Sequence, residues 1–147
     1  MISFIRKLFI KDQVVRSTYH DPVLGKLEYN PAEKEWMTSG DSDEAMPFIG
    51  IKGDQNMPDS DSLNFIKSKL NNIQKYYDLC SDDLLYIARD FIKFTSNTQV
   101  KELYEIRGIW LEVNEWKINF RTRKKFTRVD VDMVFEGEKL TGNYIST

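Results

Sequence analysis

Trp116-Lys-Ile-Asn-Phe-Arg121, followed after a basic turn by Val129-Asp-Val-Asp-Met-Val-Phe135, decides the fold. Trp116, Ile118 and Phe120 alternate with Lys117, Asn119 and Arg121. Val129, Val131, Met133 and Phe135 alternate with Arg128, Asp130 and Asp132. A period of two is the pattern of strands that bury one face and wet the other, and adjacent strands of this kind pair antiparallel. Upstream, Ile109, Leu111 and Val113 point one way ahead of a candidate turn at Asn114-Glu115. Downstream, Glu136-Gly137-Glu138 turns the chain into a last strand through Leu140 and Tyr144.

Further upstream the period changes. Leu63, Ile66, Leu70, Ile73 and Tyr77 step by three and four, which traces one helical face, and Asp59 or Ser60 is a candidate N-cap. Ser81-Asp82-Asp83 reads as a second helix start, with Leu84, Ile87, Ala88, Phe91 and Ile92 as its buried stripe. The expectation is a helical hairpin with Cys80 at the joint. Before the helices, Asp21-Pro22 opens a turn into a strand from Val23 to Tyr29. Glu35–Thr38 and Pro47–Lys52 read as two more short strands, and 53–59 carries loop chemistry. Strands, two helices, then strands predict an α+β fold: a mostly antiparallel sheet with a helical hairpin packed on one face.

Two segments are expected, an amphipathic N-terminal stretch over 1–19 and a single α+β domain over 20–147. In the first, Ile2, Ile5, Leu8 and Phe9 fall at helical spacing with Arg6, Lys7 and Lys11 elsewhere on the wheel. Arg6 and Lys7 interrupt what would otherwise be the apolar core of a secretory signal. No run is long enough to span a membrane, and a cytoplasmic location is expected.

Composition narrows the functional classes. A chain of 147 residues with 41% hydrophobic content has ample core. A net charge of −2 argues against nucleic-acid binding driven by overall charge. With one histidine (His20) and one cysteine (Cys80), there is no constellation for nucleophilic or acid–base catalysis and no internal disulfide. Gly-Xaa-Ser-Xaa-Gly and phosphate-binding loops are absent. No cofactor and no metal site are expected, and no enzymatic activity.

Charge, in contrast, is sorted into blocks. Asp41, Asp43, Glu44, Asp54, Asp59 and Asp61 crowd two loops and a cap, offset only by Lys52. They lack the spacing of a calcium loop and read instead as a contact region for a basic protein partner, where complementary charge speeds association. Lys117, Arg121, Arg123, Lys124, Lys125 and Arg128 form a basic stretch with Phe120 and Phe126 interleaved. Phe120 belongs to the apolar face of its strand, so nucleic acid is a weaker reading than a solvated hairpin or a patch used in an oligomer. Asp130 and Asp132 share one strand face, the pairing that a metal-assisted hydrolase would need. Trp110 and Trp116 flank the turn at Asn114 and read as core or edge-covering residues.

Three segments together carry a family resemblance: Asp21-Pro-Val-Leu-Gly-Lys-Leu27 with Trp36 after it, the helical middle, and Phe126–Gly137 continuing through Thr141-Gly-Asn-Tyr-Ile145. Over roughly residues 20–145 the chain resembles an uncharacterised bacterial domain family. That family opens on an Asp-Xaa-Xaa-Leu-Gly-Xaa-Leu strand, closes on a glycine-containing hairpin and includes small immunity-protein-like members. The tail departs from the pattern by placing Thr141-Gly142 before the last apolar pair. The resemblance implies a non-catalytic protein that neutralises a cognate toxin domain, for which a basic nuclease is one candidate, by direct binding. Metal-assisted hydrolysis through Asp130 and Asp132, or an oligomeric module with no toxin partner, are the alternatives.

Overall fold

A computed structural model describes residues 17–38 and 47–147. Eight strands form one sheet in sequential order: β1 (Thr18–Asp21), β2 (Gly25–Asn30), β3 (Glu35–Thr38), β4 (Phe48–Lys52), β5 (Tyr104–Leu111), β6 (Trp116–Thr122), β7 (Asp130–Glu136) and β8 (Lys139–Ser146). Every neighbouring pair is antiparallel except β4 with β5, which is parallel. A parallel pair needs a long crossover. Here the crossover holds three helices: α1 (Ser60–Asn71), α2 (Ile73–Ala88) and the single turn α3 (Val100–Leu103). The architecture is two antiparallel meanders joined through a β-helix-β crossover, a mixed α+β fold.

The alternation in β6 and β7 does what the sequence demands. Trp116 pairs with Phe135, Ile118 with Met133 and Phe120 with Val131, all on the helix side and all buried. Tyr76 of α2 meets Trp116 edge-on at 5.1 Å and Phe135 at 5.7 Å, and Tyr77 meets Phe120 at 5.5 Å. The Tyr104 hydroxyl donates to the Leu84 carbonyl at 3.2 Å, and Tyr77 accepts from the Ile106 amide. Buried rings with a satisfied polar end bind the crossover to the sheet more tightly than greasy contact alone.

The helix boundaries depart from expectation. The break falls at Asn72, with φ −114° and ψ 29°, whose amide reaches back to Lys69 and Leu70 and whose side chain donates to the Ser68 carbonyl at 3.0 Å. Cys80 is therefore not at a joint. It lies inside α2, because Tyr76, Tyr77, Cys80, Leu84, Ile87 and Ala88 make one uninterrupted buried stripe. Ser81-Asp82-Asp83 carries good cap chemistry, but no amide there is left unpaired to be capped. Asp59, in contrast, does cap α1 by accepting from the Ser62 amide at 3.0 Å.

A first strand, β1, also precedes the expected turn, pairing His20 with Lys26. Asp21 ends it: its Oδ1 accepts from the Val23 and Leu24 amides and its Oδ2 meets Lys67 Nζ at 2.5 Å. Burial pushes the Asp21 carboxyl up, but Lys67 and the two amides outweigh it and hold it below its ordinary range. Gly25 closes the turn at φ 77°, a conformation other residues adopt at a cost. The stretch 1–16, which carries the amphipathic pattern, lies outside the described residues, as do Asp41, Asp43 and Glu44. No described helix is long and apolar enough to cross a membrane.

Candidate functional site

One face of the sheet packs on the helices; no described helix packs on the other. On the open face, strand parity lines up Phe48, Gly50, Gly108, Trp110, Lys117, Asn119, Arg121, Asp130 and Asp132 across β4 to β7. At its centre the Trp110 indole lies flat on the backbone. A Cβ built on Gly108 would come within 2.4 Å of Trp110 Cη2, and one on Gly50 within 2.7 Å of Trp110 Cδ1. Gly108 is two residues back along the same strand and Gly50 is the cross-strand neighbour, so both lie on the ring's face of the sheet. Two absent side chains thus make a seat for one ring. Phe48 extends it, with ring centroids 5.8 Å apart, and Met37 lies opposite Gly50 on β3. All three side chains are half-buried, leaving an apolar platform partly open to solvent.

Around this platform the charges satisfy one another. Arg121 Nε donates to Asp130 Oδ1 at 2.8 Å, and Arg128 Nε to Asp130 Oδ2 at 2.9 Å. Partial burial raises the Asp130 pKa, but the two guanidinium groups overcome it and keep the carboxyl below its ordinary range. Asn119 Nδ2 donates to Asp132 Oδ1 at 2.8 Å. Lys117 lies 3.4 Å from Glu112 and 3.7 Å from Glu115, and Lys52 is 3.5 Å from Glu35. Asp130 and Asp132 do share a face, as their spacing required. Each, however, is committed to its own donors. Among the described residues no group of three or more His, Cys, Asp or Glu is placed to hold a metal ion.

The basic stretch is similarly engaged. Besides Lys117, Arg121 and Arg128, Arg123 donates through Nε to the Lys101 carbonyl at 2.6 Å and lies 3.8 Å from Glu105, while Lys125 covers the Phe126 ring at 5.1 Å. Polyanion binding draws on cations that are free to replace counterions. Most of these cations already have a protein partner.

The acidic residues within the described chain divide by role. Asp54 Oδ1 accepts from the Asn56 amide at 2.8 Å and the Met57 amide at 3.3 Å, and its carbonyl takes the Trp36 indole N–H at 2.8 Å. Asp59 is the helix cap, its carboxyl held below its ordinary range by the Ser62 hydroxyl and amide. Both shape the loop that carries them. Asp61 is exposed in the first turn of α1. Buried Cys80 has a thiol pushed up to about 12, chiefly by desolvation, which leaves it protonated and inert.

Sequence reasoning missed Trp110 as a surface group because it weighed the two flanking tryptophans together. Parity separates them: Trp116 falls with Ile118 and Phe120, Trp110 with Lys117. The glycine two residues before Trp110 was the further signal. No family model matches the chain, and no curated protein and no solved structure matches it either.

Proposed function

We propose that this protein is a non-catalytic protein-binding module that docks a partner protein on the open face of its sheet, with Trp110 as the anchor. The observation that carries the reading is the Trp110 platform itself, an indole seated on Gly50 and Gly108 and extended by Phe48, inside a rim of mutually paired charges. Protein interfaces combine a central aromatic or Met-rich patch with a polar rim, and tryptophans are their most frequent energetic anchors. Cations already bound to carboxylates favour such a surface over a nucleic-acid track.

Within that class we assign the partner as a toxin domain and the protein as its immunity factor, acting in the cytoplasm by direct occlusion. The bacterial family resemblance over residues 20–145 supports this assignment. So does the acidic block Asp41, Asp43, Glu44, Asp54, Asp59 and Asp61, which would speed encounter with a basic nuclease. Asp54 and Asp59 contribute charge there while their hydrogen bonds hold the loop.

The test is to look for a toxic domain encoded beside this chain, as the proposal requires, and to co-express the two. Wild type should restore growth, and Trp110→Ala with Phe48→Ala should abolish rescue while the purified variant stays folded. Rescue that survives the double substitution would refute the open face as the docking surface. Absence of any rescue by wild type would refute the immunity role.

A further inference from the structure

The two edges of the sheet are treated differently. β1 is four residues long and ends at Asp21, which folds back onto its own turn. β8 is twice as long, contains no proline, and from Leu140 onward has no charged side chain although 30% of the chain is charged. Its register shift against β7 lies at the hairpin end, so Gly142–Ser146 pair regularly, and residues 141–146 are exposed. Sheets ordinarily guard such an edge with charge, proline or brevity. This edge has none of them.

The occupant is indicated by Gly142. A Cβ there would meet nothing within 4 Å, and its φ is outside the left-handed region, so nothing in its own chain calls for glycine. A glycine in a strand interior nevertheless costs about 0.5–1 kcal/mol. Two residues on, and on the same face, Tyr144 is 66% exposed, with Lys117 Nζ 5.7 Å from its ring centroid. An antiparallel pairing of β8 with β8 of a second copy, centred on Asn143, sets Tyr144 opposite the other copy's Gly142, twice by symmetry. A ring laid on a cross-strand glycine is the device this sheet already uses for Trp110 on Gly50. A charged partner strand would find no counter-charge along β8 beyond Lys139, whereas two copies paired through the neutral stretch from Leu140 onward meet without repulsion.

The geometry points to a two-fold homodimer through β8, with the two-fold axis at Asn143 and the two open faces joined into one surface. Sedimentation equilibrium across micromolar to millimolar concentrations tests it. Wild type should approach twice the 17.3 kDa chain mass, and Asn143→Lys, which sets like charges against each other on the axis, should weaken dimerisation at least about tenfold with an unchanged circular-dichroism spectrum. Independently, Asn143→Cys should cross-link on mild oxidation and Ile145→Cys should not, because only the axial residue meets its own copy; buried Cys80 does not compete. A wild type that stays monomeric throughout, a dimer indifferent to Asn143→Lys, or equal cross-linking at both positions would overturn the inference.

Discussion

Placing a methyl group at Gly108 should evict Trp110 from its seat, and the penalty should vanish when Trp110 is already gone. The three nearest atoms to a Cβ at Gly108 all belong to Trp110, at 2.4, 2.8 and 3.0 Å. Gly108→Ala in the wild-type background therefore carries an overpacking cost of about 1–3 kcal/mol. In a Trp110→Ala background that cost disappears and the strand-interior gain of alanine over glycine remains, about 0.5–1 kcal/mol in the stabilising direction. The gain is common to both backgrounds and cancels, so the coupling between the two positions is about 1–3 kcal/mol, read from a double-mutant cycle in urea unfolding. In thermal unfolding each kcal/mol corresponds to about 2–4 °C for a domain of this size. At Gly50 the reversal should be smaller, because Glu35 Oε1 also lies 2.9 Å from the added Cβ. Equal destabilisation by Gly108→Ala in both backgrounds would refute the seat, and with it the reason for treating Trp110 as a held platform.

Other outcomes test neighbouring parts of the account. Glu138, in the β7–β8 turn, ion-pairs with Lys69 of α1 and Lys75 of α2, and those contacts depress its carboxyl to about 2, from 4.5. Its folded-state pKa lies below the unfolded value, so the stabilisation is complete above about pH 4.5 and fades as pH falls toward 2. After allowance for its exposure the contribution is about 1 kcal/mol or less, and Glu138→Gln should remove that share of the acid sensitivity in denaturant titrations. Native Cys80 should resist thiol reagents at mildly alkaline pH and react fully in urea; rapid native labelling would contradict its burial and raised pKa. Asp21→Ala strips the Val23 and Leu24 amides of their acceptor and leaves Lys67 unpaired, so a loss of about 1–3 kcal/mol is expected in chemical unfolding.

The strands were the legible part of this chain, and the reason is local. In β6 and β7 each residue's side is fixed by parity, so Trp116, Ile118, Phe120, Val131, Met133 and Phe135 could be assigned to the core without knowing what covered them. Helix termini were harder, because cap chemistry is necessary but not sufficient. Ser81-Asp82-Asp83 resembles a helix start and lies mid-helix, while the actual break at Asn72 interrupts an apolar spacing that continues straight through it. The parallel pairing of β4 with β5 leaves no mark in either strand, since it depends on the route of the crossover between them. The open-face site was half visible. Asp130, Asp132 and the basic residues could be named, but their mutual neutralisation depends on cross-strand register such as Arg121 opposite Asp130. The Trp110 seat needs Gly50, 60 residues before Trp110 in sequence and opposite it only once β4 and β5 pair.

Binding should be read most directly at Trp110 itself. Of the three tryptophans, Trp36 and Trp116 are fully buried and Trp110 is half-open, so fluorotryptophan labelling gives fluorine NMR one surface reporter and two internal controls. On titration with the partner proposed above, a toxin domain, the Trp110 resonance should shift and lose its solvent isotope effect while the Trp36 and Trp116 resonances stay in place. Saturable binding that leaves the Trp110 signal unmoved would contradict the account.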